Sequence, residues 1–473
     1  MKLFPVSSNS GDIFTDDTTL RENTTFEDGR QVVHNMLSGK VLLQEDVLAS
    51  YAADEVESLF KNSALINEDA EGRITRFGKE ELFPGRTLGK GGYSTVREVY
   101  AVNLSHSKSE EGGTNHFGTV LRRSNCKKKS LTCLKKKALK GKKVTSAPME
   151  DKYDDDIFDW NENDMVDQIH DRNSIAKHCM RGGKSRYAIK KLHSSFDENP
   201  KQHFNGIIDL AVEARFLAFV RHPNIVKVRA MSLGDPYKSG FFIVMDRLYD
   251  TLSTRINMWT IEHKRNKGLI RKRRGGKAAN KVLWNQRLVV MYDIASAFKY
   301  LHSSSILYRD LKPENLGFDL KDRIKLFDFG LAVELRSEDM LKDGTYNIPK
   351  GGTLRYMPPE ISSKKPCNCS ADVYSYGVLL WSVLALATPF EGFSIEKHAK
   401  LVVNQNYRPK IPNKWPSEIK DLISKCWSAN IRQRPTFEDV EDILDELISD
   451  FVFQRKDAID DSLSSRSTYC SRT

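Results

Sequence analysis

The sequence has no stretch of about 18 consecutive apolar residues, which predicts that no segment spans a membrane. Its start, from Met1 to Pro5, lacks the apolar core of a secretory signal, and Lys2 is not the glycine that N-myristoylation requires. The seven cysteines are scattered and form no Cys-x-x-Cys pair, so neither a zinc site nor a redox pair is predicted. These absences favour reduced thiols and a cytoplasmic location.

Acidic residues are absent from two strongly basic segments. Residues 121–143 contain eleven Lys or Arg and residues 263–281 contain nine, and these twenty exceed the net charge of +11. The rest of the chain is therefore acidic on balance, and residues 150–171 carry ten Asp or Glu against one Lys. Blocks of like charge are typical of solvated segments that do not pack.

The two basic segments also lack aromatic residues, which argues against base stacking on nucleic acid. An anionic partner remains an alternative for both segments, because clustered cations attract it. Lys264-Arg265 and Arg271-Lys272-Arg273-Arg274 would also suit an import receptor, which leaves the nucleus open as a second location.

Composition and periodicity divide the chain into three parts. Residues 1–80 form an N-terminal extension, residues 81–450 a large domain and residues 451–473 a disordered tail. Charged insertions are predicted inside the domain at 103–180 and 259–283. The extension begins with a polar stretch, residues 1–35, that is predicted to be disordered. Apolar residues follow whose spacing suits one or two short helices: Val47, Tyr51, Val56, Leu59 and Phe60.

A glycine-rich turn joins two predicted strands between Arg86 and Val102. It reads Gly89-Lys90-Gly91-Gly92-Tyr93-Ser94-Thr95-Val96. Because glycine has no Cβ, such a turn allows backbone N–H groups to approach a phosphate closely. Alone, the pattern favours an ordinary β-hairpin.

A lysine and a glutamate with defined spacing follow. Lys190 lies two residues after Ala188 on a predicted strand, and Glu213 lies in a helix predicted over 204–221, before His222-Pro223-Asn224. The helix has one apolar face: Ile207, Leu210, Ala214, Leu217 and Ala218. An isolated lysine on a strand is usually a solvent-exposed residue without a special role. An ion pair of Lys190 with Glu213 is therefore predicted only in combination with the other motifs.

Two polar motifs follow in the second half of the chain, Tyr308-Arg309-Asp310-Leu311-Lys312-Pro313-Glu314-Asn315 and Asp328-Phe329-Gly330. The Asp310 carboxylate can accept a hydrogen bond from a hydroxyl and orient it, and Lys312 carries a positive charge two residues later. Asn315 and Asp328 offer hard oxygen ligands of the kind that Mg²⁺ prefers.

In this order, and with Pro358-Pro359-Glu360, the motifs resemble the eukaryotic protein kinases over roughly Leu82 to Ile448. The resemblance implies an α+β, bilobal fold with a small β-rich N-lobe, one key helix and a larger, mainly helical C-lobe. It also implies transfer of the γ-phosphoryl group of ATP, with Mg²⁺, to a protein hydroxyl. Lys312-Pro313-Glu314-Asn315 and Gly352-Thr353 are similar to serine/threonine kinases, whereas Cys426-Trp427 and Arg434-Pro435 resemble their tyrosine-kinase-like branch.

The resemblance also assigns site residues. The implied catalytic residues are Asp310, Lys312, Lys190 and Glu213. The implied nucleotide-binding residues are Gly89, Lys90, Gly91, Gly92, Val96, Ala188, Lys190, Met245, Asp246 and Leu248. Asn315 and Asp328 are the implied metal ligands. Gly317 departs from the pattern, because the family usually has a bulky apolar residue there beneath adenine, and ATP affinity is therefore in question.

Structural and regulatory roles complete the expectation. Glu360 and Arg434 are expected to form a buried ion pair, and Asp372 to bind the backbone of the Asp310 loop. The segment from Asp328 to Glu360 is expected to form a gating loop at the site. Arg309 resembles the arginine of kinases in which phosphorylation orders this loop. Thr345 is therefore predicted as the residue that an upstream kinase phosphorylates to switch the enzyme on, ahead of Ser337. The alternative is a catalytically weak pseudokinase that serves as a scaffold for partners.

Overall fold

The structure is a computed structural model that describes residues 45–63, 65–66, 71–104, 172–192, 200–268 and 275–449. The chain divides into two units, one of residues 1–102 and 169–473 and one of residues 103–168, and the fold described below is that of the first unit. The predicted disorder of the two chain ends, the basic segment 121–143 and the acidic segment 150–171 lie outside the described residues.

The β-strands are, in chain order, β1 Thr75–Phe77, β2 Leu82–Lys90, β3 Ser94–Val102, β4 Met180–Arg181, β5 Lys184–Ser185, β6 Tyr187–Leu192, β7 Val228–Ser232, β8 Phe242–Asp246, β9 Asp250–Thr251, β10 Ile306–Leu307, β11 Leu316–Phe318, β12 Ile324–Leu326 and β13 Val333–Glu334. The α-helices are α1 Glu45–Phe60, α2 Arg172–Lys177, α3 Pro200–Phe219, α4 Leu252–Lys267, α5 Gly276–Ser303, α6 Pro359–Ser362, α7 Ser370–Ala385, α8 Ile395–His398, α9 Ser417–Cys426 and α10 (437–449).

A six-stranded sheet forms the N-lobe, in the order β1-β7-β8-β6-β3-β2. All neighbours are antiparallel except β1 and β7, which are parallel. β6 lies between β3 and β8, so that Lys190 pairs with Val96 on one side and with Ile243 on the other. This register carries the predicted lysine next to the hairpin that contains the glycine turn.

The N-terminal extension is joined to the N-lobe from Glu45 onward. β1 adds a strand to the sheet edge, and α1 packs on α3 through Leu48, Ala52, Val56 and Phe60, which belong to the main hydrophobic core. The predicted boundary at residue 81 therefore falls inside a packed unit. The predicted apolar face was also partly wrong, because Leu59 is 44% exposed whereas Leu48 is fully buried.

The N-lobe insertion predicted for 103–180 ends earlier than expected. α2 packs within the N-lobe, where Ile175 is 1% exposed and the guanidinium of Arg172 lies 5.3 Å from the ring centroid of Phe77 and binds Glu81. A single buried isoleucine in a polar stretch gives too weak a periodicity to reveal this helix from sequence.

The C-lobe is built around two long helices. α5 extends over 28 residues, and α7 is buried on every side from Ala371 to Leu384, as expected for a helix that is apolar all round. Short strands β9, β11 and β12 form one small sheet, and β10 and β13 form another. Together with the N-lobe this is the predicted α+β protein kinase fold.

Most of the basic segment 259–283 is helical and not a solvated insertion. Its first part is the end of α4 and its last part the start of α5, while residues 269–274 lie outside the described residues. Trp259 is buried, and His263 Nδ1 lies 3.1 Å from Asn280 Oδ1 across the two helices. Lysine and arginine are good helix formers and are favourable near a helix C-terminus, so charge density alone was a poor guide here.

No helix within the described residues combines the length and the apolar character that a membrane crossing requires.

Candidate active site

Three distant segments converge on Lys190. Its Nζ lies 2.5 Å from Glu213 Oε2 on α3 and 2.8 Å from Asp328 Oδ1, which follows β12. Glu213 is 1% exposed, and its Oε1 has no hydrogen-bond partner among the described residues. The buried strand β6 and the apolar face of α3 therefore hold one ammonium group between two carboxylates.

Burial and charge change the pKa values of these three groups. Burial raises the pKa of Glu213 to about 7, although the Lys190 cation acts in the opposite direction. Burial would also lower the pKa of Lys190, but the charges of Asp328 and Glu213 outweigh it and the pKa lies above the ordinary value. For Asp328, which is only partly buried, loss of hydration raises the pKa, yet the Lys190 cation prevails and keeps it below its usual range.

Asp310 lies at the centre of a second cluster. Its Oδ1 accepts hydrogen bonds from the Thr353 backbone at 2.9 Å and from the Thr353 hydroxyl at 2.7 Å. Its Oδ2 accepts from Asn315 Nδ2 at 3.0 Å and lies 3.1 Å from Lys312 Nζ, which also donates to Thr353 Oγ1 at 2.8 Å. Thr353 thus contacts both Asp310 and Lys312.

Burial raises the pKa of Asp310, while Lys312 and the Thr353 hydroxyl limit the rise. A carboxylate with a raised pKa is a better proton acceptor than an exposed aspartate, provided that it stays ionised at the working pH.

Asp372 fixes the backbone of this loop. From the fully buried start of α7, its carboxylate accepts from the Tyr308 N–H and from the Arg309 N–H, both at 2.9 Å. Arg309 adopts φ 75°, a left-handed conformation that is unfavourable for a side chain larger than glycine. The two hydrogen bonds offset that strain and hold Asp310 in place.

The residues expected around adenine lie together at the junction of the lobes. Ala188 and Met245 are paired across β6 and β8 and are 2% and 5% exposed. The Asp246 side chain instead binds Arg229 through two hydrogen bonds of 2.7 and 2.8 Å. Any contact of Asp246 with adenine would therefore involve its backbone.

Leu248 fills the space left by Gly317. A Cβ added to Gly317 would lie 2.8 Å from Leu248 Cδ1 and 3.0 Å from the carbonyl oxygen of Asp250. The leucine side chain therefore takes the position that a bulky residue 317 would occupy. Leu316 is instead 1% exposed in the hydrophobic core.

The glycine turn is open. A Cβ added to Gly89 or Gly92 would meet no heavy atom within 4 Å among the described residues, and neither glycine has a positive φ. Lys90 is exposed and Val96 packs against the main core. Protein packing does not require glycine at these two positions, which agrees with space reserved for a ligand.

Asn315 and Asp328 fit a divalent cation by their chemistry. The Asp328 side chain is 41% exposed. Asn315 donates hydrogen bonds to Asp310 through its Nδ2 atom. The Asp328 carboxylate and the Asn315 amide oxygen can therefore serve as ligands to a cation. Mg²⁺ is usually held by one or two such protein oxygens together with substrate phosphates and water.

Phe329 connects the two lobes through ring contacts. Its ring centroid lies 5.2 Å from that of Tyr308 and 6.4 Å from that of Phe216 on α3. The Tyr308 hydroxyl donates to the Phe327 carbonyl at 2.6 Å. Tyr308 is therefore held in place both by ring packing and by this hydrogen bond.

The gating loop is held by its own contacts. Thr345 is 4% exposed, and its hydroxyl donates to Asp343 Oδ1 at 2.6 Å. The next residue, Tyr346, exchanges backbone hydrogen bonds of 2.7 and 3.0 Å with Cys367. Arg309 is buried and donates to the Pro349 carbonyl at 3.1 Å. In this conformation the predicted switch residue is inaccessible to a modifying enzyme.

A family model described as "Protein kinase domain" matches residues 172–444, more than half of the chain. The chain belongs to the protein kinase family. The match begins after the glycine turn, which the structure nevertheless connects to the domain through the pairing of β3 with β6.

Among its relatives, the chain is 34% identical over 154 residues to the serine/threonine/tyrosine-protein kinase HT1 of Arabidopsis thaliana, covering 33% of this chain and 38% of the relative. It is 34% identical over 161 residues to the serine/threonine-protein kinase STY17 of the same plant, covering 34% and 27%. It is 36% identical over 167 residues to the dual specificity protein kinase shkC of Dictyostelium discoideum, covering 35% and 32%. These names agree with a serine/threonine kinase that has tyrosine-kinase-like features, and the chain spans about a third of the length of these relatives.

Sequence reasoning missed two sets of residues near the site. Leu248 was expected to touch adenine but not to replace the side chain of residue 317. The contacts of α1 with α3 were also missed, although the spacing of Leu48, Ala52, Val56 and Phe60 is the signal that identifies the buried face.

Proposed function

We propose that the protein is an active kinase that transfers the γ-phosphoryl group of Mg-ATP to serine or threonine hydroxyls of a protein substrate. The observation that carries the proposal is the simultaneous contact of Lys190 with Glu213 and Asp328. Lys190 lies on the strand next to the hairpin that carries the glycine turn. A scaffold would not need a buried ammonium group at this place, nor the Glu213 and Asp328 carboxylates that contact it.

The side chains would divide the work as follows. Lys190, oriented by Glu213, would bind the donor phosphates, and the open glycine turn would cover them. Asp310 would accept a hydrogen bond from the substrate hydroxyl and so hold its oxygen in line, while Lys312 would neutralise charge on the moving group. Mg²⁺, held by Asn315 and Asp328, would supply charge neutralisation on the phosphates when bound.

The proposed serine/threonine specificity is supported by two segments that are similar to those of serine/threonine kinases, Lys312-Pro313-Glu314-Asn315 and Gly352-Thr353. In the structure, Thr353 contacts both Asp310 and Lys312. Because relatives are named as dual specificity kinases, phosphoamino-acid analysis of the labelled product is the direct measurement. Label in phosphotyrosine alone would overturn the proposed specificity.

The activity itself is tested with purified full-length protein, labelled ATP, Mg²⁺ and a generic protein acceptor. The matched control is Lys190→Met, which removes the ammonium group but keeps an unbranched side chain on β6. We expect transfer by the wild type and only a trace by the variant. Equal signals from the two proteins would favour the scaffold, since the signal would then not depend on this site.

A change of Gly317 to leucine should weaken ATP binding about tenfold, because the added side chain would clash with Leu248 and with the Asp250 carbonyl. The dissociation constant of ATP, measured by calorimetry, provides the test. Leu248→Ala in the same chain should recover part of the loss, since it removes the flexible partner of the clash. Unchanged binding by Gly317→Leu would show that Leu248 does not form the floor of this pocket.

The pKa of Glu213, near 7, predicts a pH effect. Below that pH the carboxyl is protonated and no longer holds the Lys190 cation, so kcat/KM for ATP should fall by about tenfold between pH 8 and pH 6. Glu213→Gln is the control, because its side chain does not titrate. An equal decline in that variant would assign the effect to ATP or to another group.

We further propose that an upstream kinase regulates the gating loop at Thr345. Because Thr345 is buried against Asp343, the loop would have to open before modification. A phosphate on Thr345 would then repel the Asp343 carboxylate and form an ion pair with the Arg309 guanidinium. Phosphatase treatment should lower wild-type turnover several-fold to the level of Thr345→Ala. The exposed Ser337→Ala serves as control, and a dephosphorylated wild type with full activity would refute the switch.

We also propose that the exposed basic residues of α4 bind an anionic partner or an import receptor. Lys264, Arg265 and Lys267 are exposed at the C-terminal end of the helix. Replacing Lys264 and Arg265 by Gln removes two charges without removing the helix, and the distribution of the protein between nucleus and cytoplasm is the readout. An unchanged distribution would exclude this segment as an import signal.

A further inference from the structure

The helix α1 covers the outer face of α3, the helix that carries Glu213. Four of its five buried residues recur every four positions, at Leu48, Ala52, Val56 and Phe60, and these four are 0 to 8% exposed. This spacing places them on one face of a helix, and the same hydrophobic core contains the buried residues of α3. A segment outside the expected kinase domain thus contributes directly to the packing of the helix on which Lys190 depends.

Phe60 contacts α3 at the turn that contains Glu213. Its ring centroid lies 5.5 Å from that of Phe216 in an edge-to-face arrangement, and Phe216 follows Glu213 by three residues on the same helix. Phe216 in turn lies 6.4 Å from Phe329, the neighbour of Asp328. A continuous series of ring contacts therefore leads from the end of α1 to Phe216, three residues after Glu213, and to Phe329, the residue after Asp328.

Polar contacts reinforce the same register. Glu57 binds the Arg215 guanidinium and accepts a hydrogen bond of 2.8 Å from the Tyr237 hydroxyl. The Arg215 guanidinium also lies 5.1 Å from the Phe60 ring centroid. Arg215 lies two residues after Glu213, so α1 contacts the turn of α3 that follows Glu213 through one charged and one apolar side chain, Arg215 and Phe216.

The start of α1 is attached to the loop between β7 and β8. Lys238 Nζ lies 2.9 Å from Asp46 Oδ1, and the Ser239 N–H donates to Glu45 Oε1 at 3.1 Å. Since β8 pairs with β6, α1 is anchored to the sheet that carries Lys190 at one end and to the helix that carries Glu213 at the other. It therefore bridges the two elements whose separation sets the Lys190–Glu213 distance.

We propose that α1 is a built-in positioning element for the active site and that Phe60 is its principal positioning residue, acting on Glu213 through Phe216. The inference rests on the proposed kinase activity and extends it. Without Phe60, α3 would lose the contact that keeps its Glu213 turn against the sheet, and the Lys190–Glu213 ion pair would form less often. Coupling of this kind between sites is typically worth a factor of about 5 to 150.

The test uses full-length protein with Phe60→Ala, and with Leu59→Ala as the matched control. Leu59 is the preceding residue of the same helix and is 44% exposed, so its truncation should leave activity unchanged. We expect Phe60→Ala to lower kcat/KM for ATP about tenfold. Phe60→Leu should restore most of it because it refills the space. Thermal unfolding of each variant provides the check on folding.

The same substitutions in a Glu213→Gln background separate positioning from general stability. If Phe60 acts through Glu213, Phe60→Ala should lower kcat/KM for ATP less than twofold once the carboxylate is gone, since the coupled effects are not additive. An equal tenfold loss in both backgrounds would overturn the inference. So would full activity of a folded Phe60→Ala protein.

Two further measurements keep the inference testable in all cases. If Phe60→Ala does not fold, Glu57→Gln replaces it, because this exposed change removes only the charge that binds Arg215. A smaller loss of the same sign, absent in the Glu213→Gln background, supports the inference, and no loss overturns it. If the wild type transfers no phosphate, the proposed function fails, and the ATP dissociation constants of the same variants decide the inference alone.

Discussion

Replacing Asp310 by asparagine is expected to lower kcat about a thousandfold. The carboxylate is the group that would orient the acceptor hydroxyl and accept its proton, and the amide keeps the shape but not the charge. Of the contacts that Asp310 makes, the two from Thr353 persist with an amide oxygen as acceptor. The loss should therefore appear in kcat, with little change in KM for ATP, in a steady-state assay with saturating acceptor.

The fold of this variant should be intact. Asp372, which holds the loop backbone through Tyr308 and Arg309, is unchanged, so the melting temperature should stay within about 2 °C of the wild type. A variant that keeps its activity would contradict the assigned role of Asp310. A variant that loses activity and melting temperature together would indicate a structural role instead.

Replacing Glu360 by glutamine is expected to have the largest effect on stability. Arg434 donates to both Glu360 oxygens, at 2.5 and 2.9 Å, and the arginine side chain is fully buried. Removing the carboxylate leaves a buried cation without its counter-charge, which costs about 3–5 kcal/mol. For a domain of this size, calorimetry should then show the melting temperature lowered by about 5 °C.

The control for this prediction is an exposed ion pair. Glu438, 69% exposed, lies 3.3 Å from Lys299, and Glu438→Gln should leave the melting temperature within about 2 °C because water screens such pairs. If both substitutions lowered it equally, burial would not explain the effect. If neither did, the Glu360–Arg434 pair would have no net role in stability.

The convergence of the site followed from the sequence to a large extent because the motifs specify local chemistry. The spacing of Lys190 from Glu213 matched a buried strand followed by an amphipathic helix, and those elements bring the two side chains together. The positions of Asp310 and Asp328 relative to short strands were likewise encoded locally. The contact of Asp310 with Thr353 and that of Asp328 with Lys190 result from the packing of these elements, which the motifs predict.

The charged segments were less predictable, for a physical reason. Lysine-rich stretches are compatible with both a solvated loop and a helix, because their long side chains keep their charges in water in either state. The ends of α4 and α5 are helical since Trp259 is buried and His263 meets Asn280, contacts that no local pattern announces. The same holds for α2, which depends on Ile175 and Arg172.

The amino-acid sequence by itself determined the class of protein, the order of its candidate catalytic groups and the residue types of its proposed phosphate and hydroxyl sites, since each depends on chemistry at fixed spacing along the chain. Only the tertiary structure decided that Leu248 fills the space above Gly317 and that α1 packs on α3 beside Glu213. Both arrangements join residues far apart in sequence through shape and burial. Local spacing can mark a buried face, as in α1, but the partner that covers this face depends on the whole packed core.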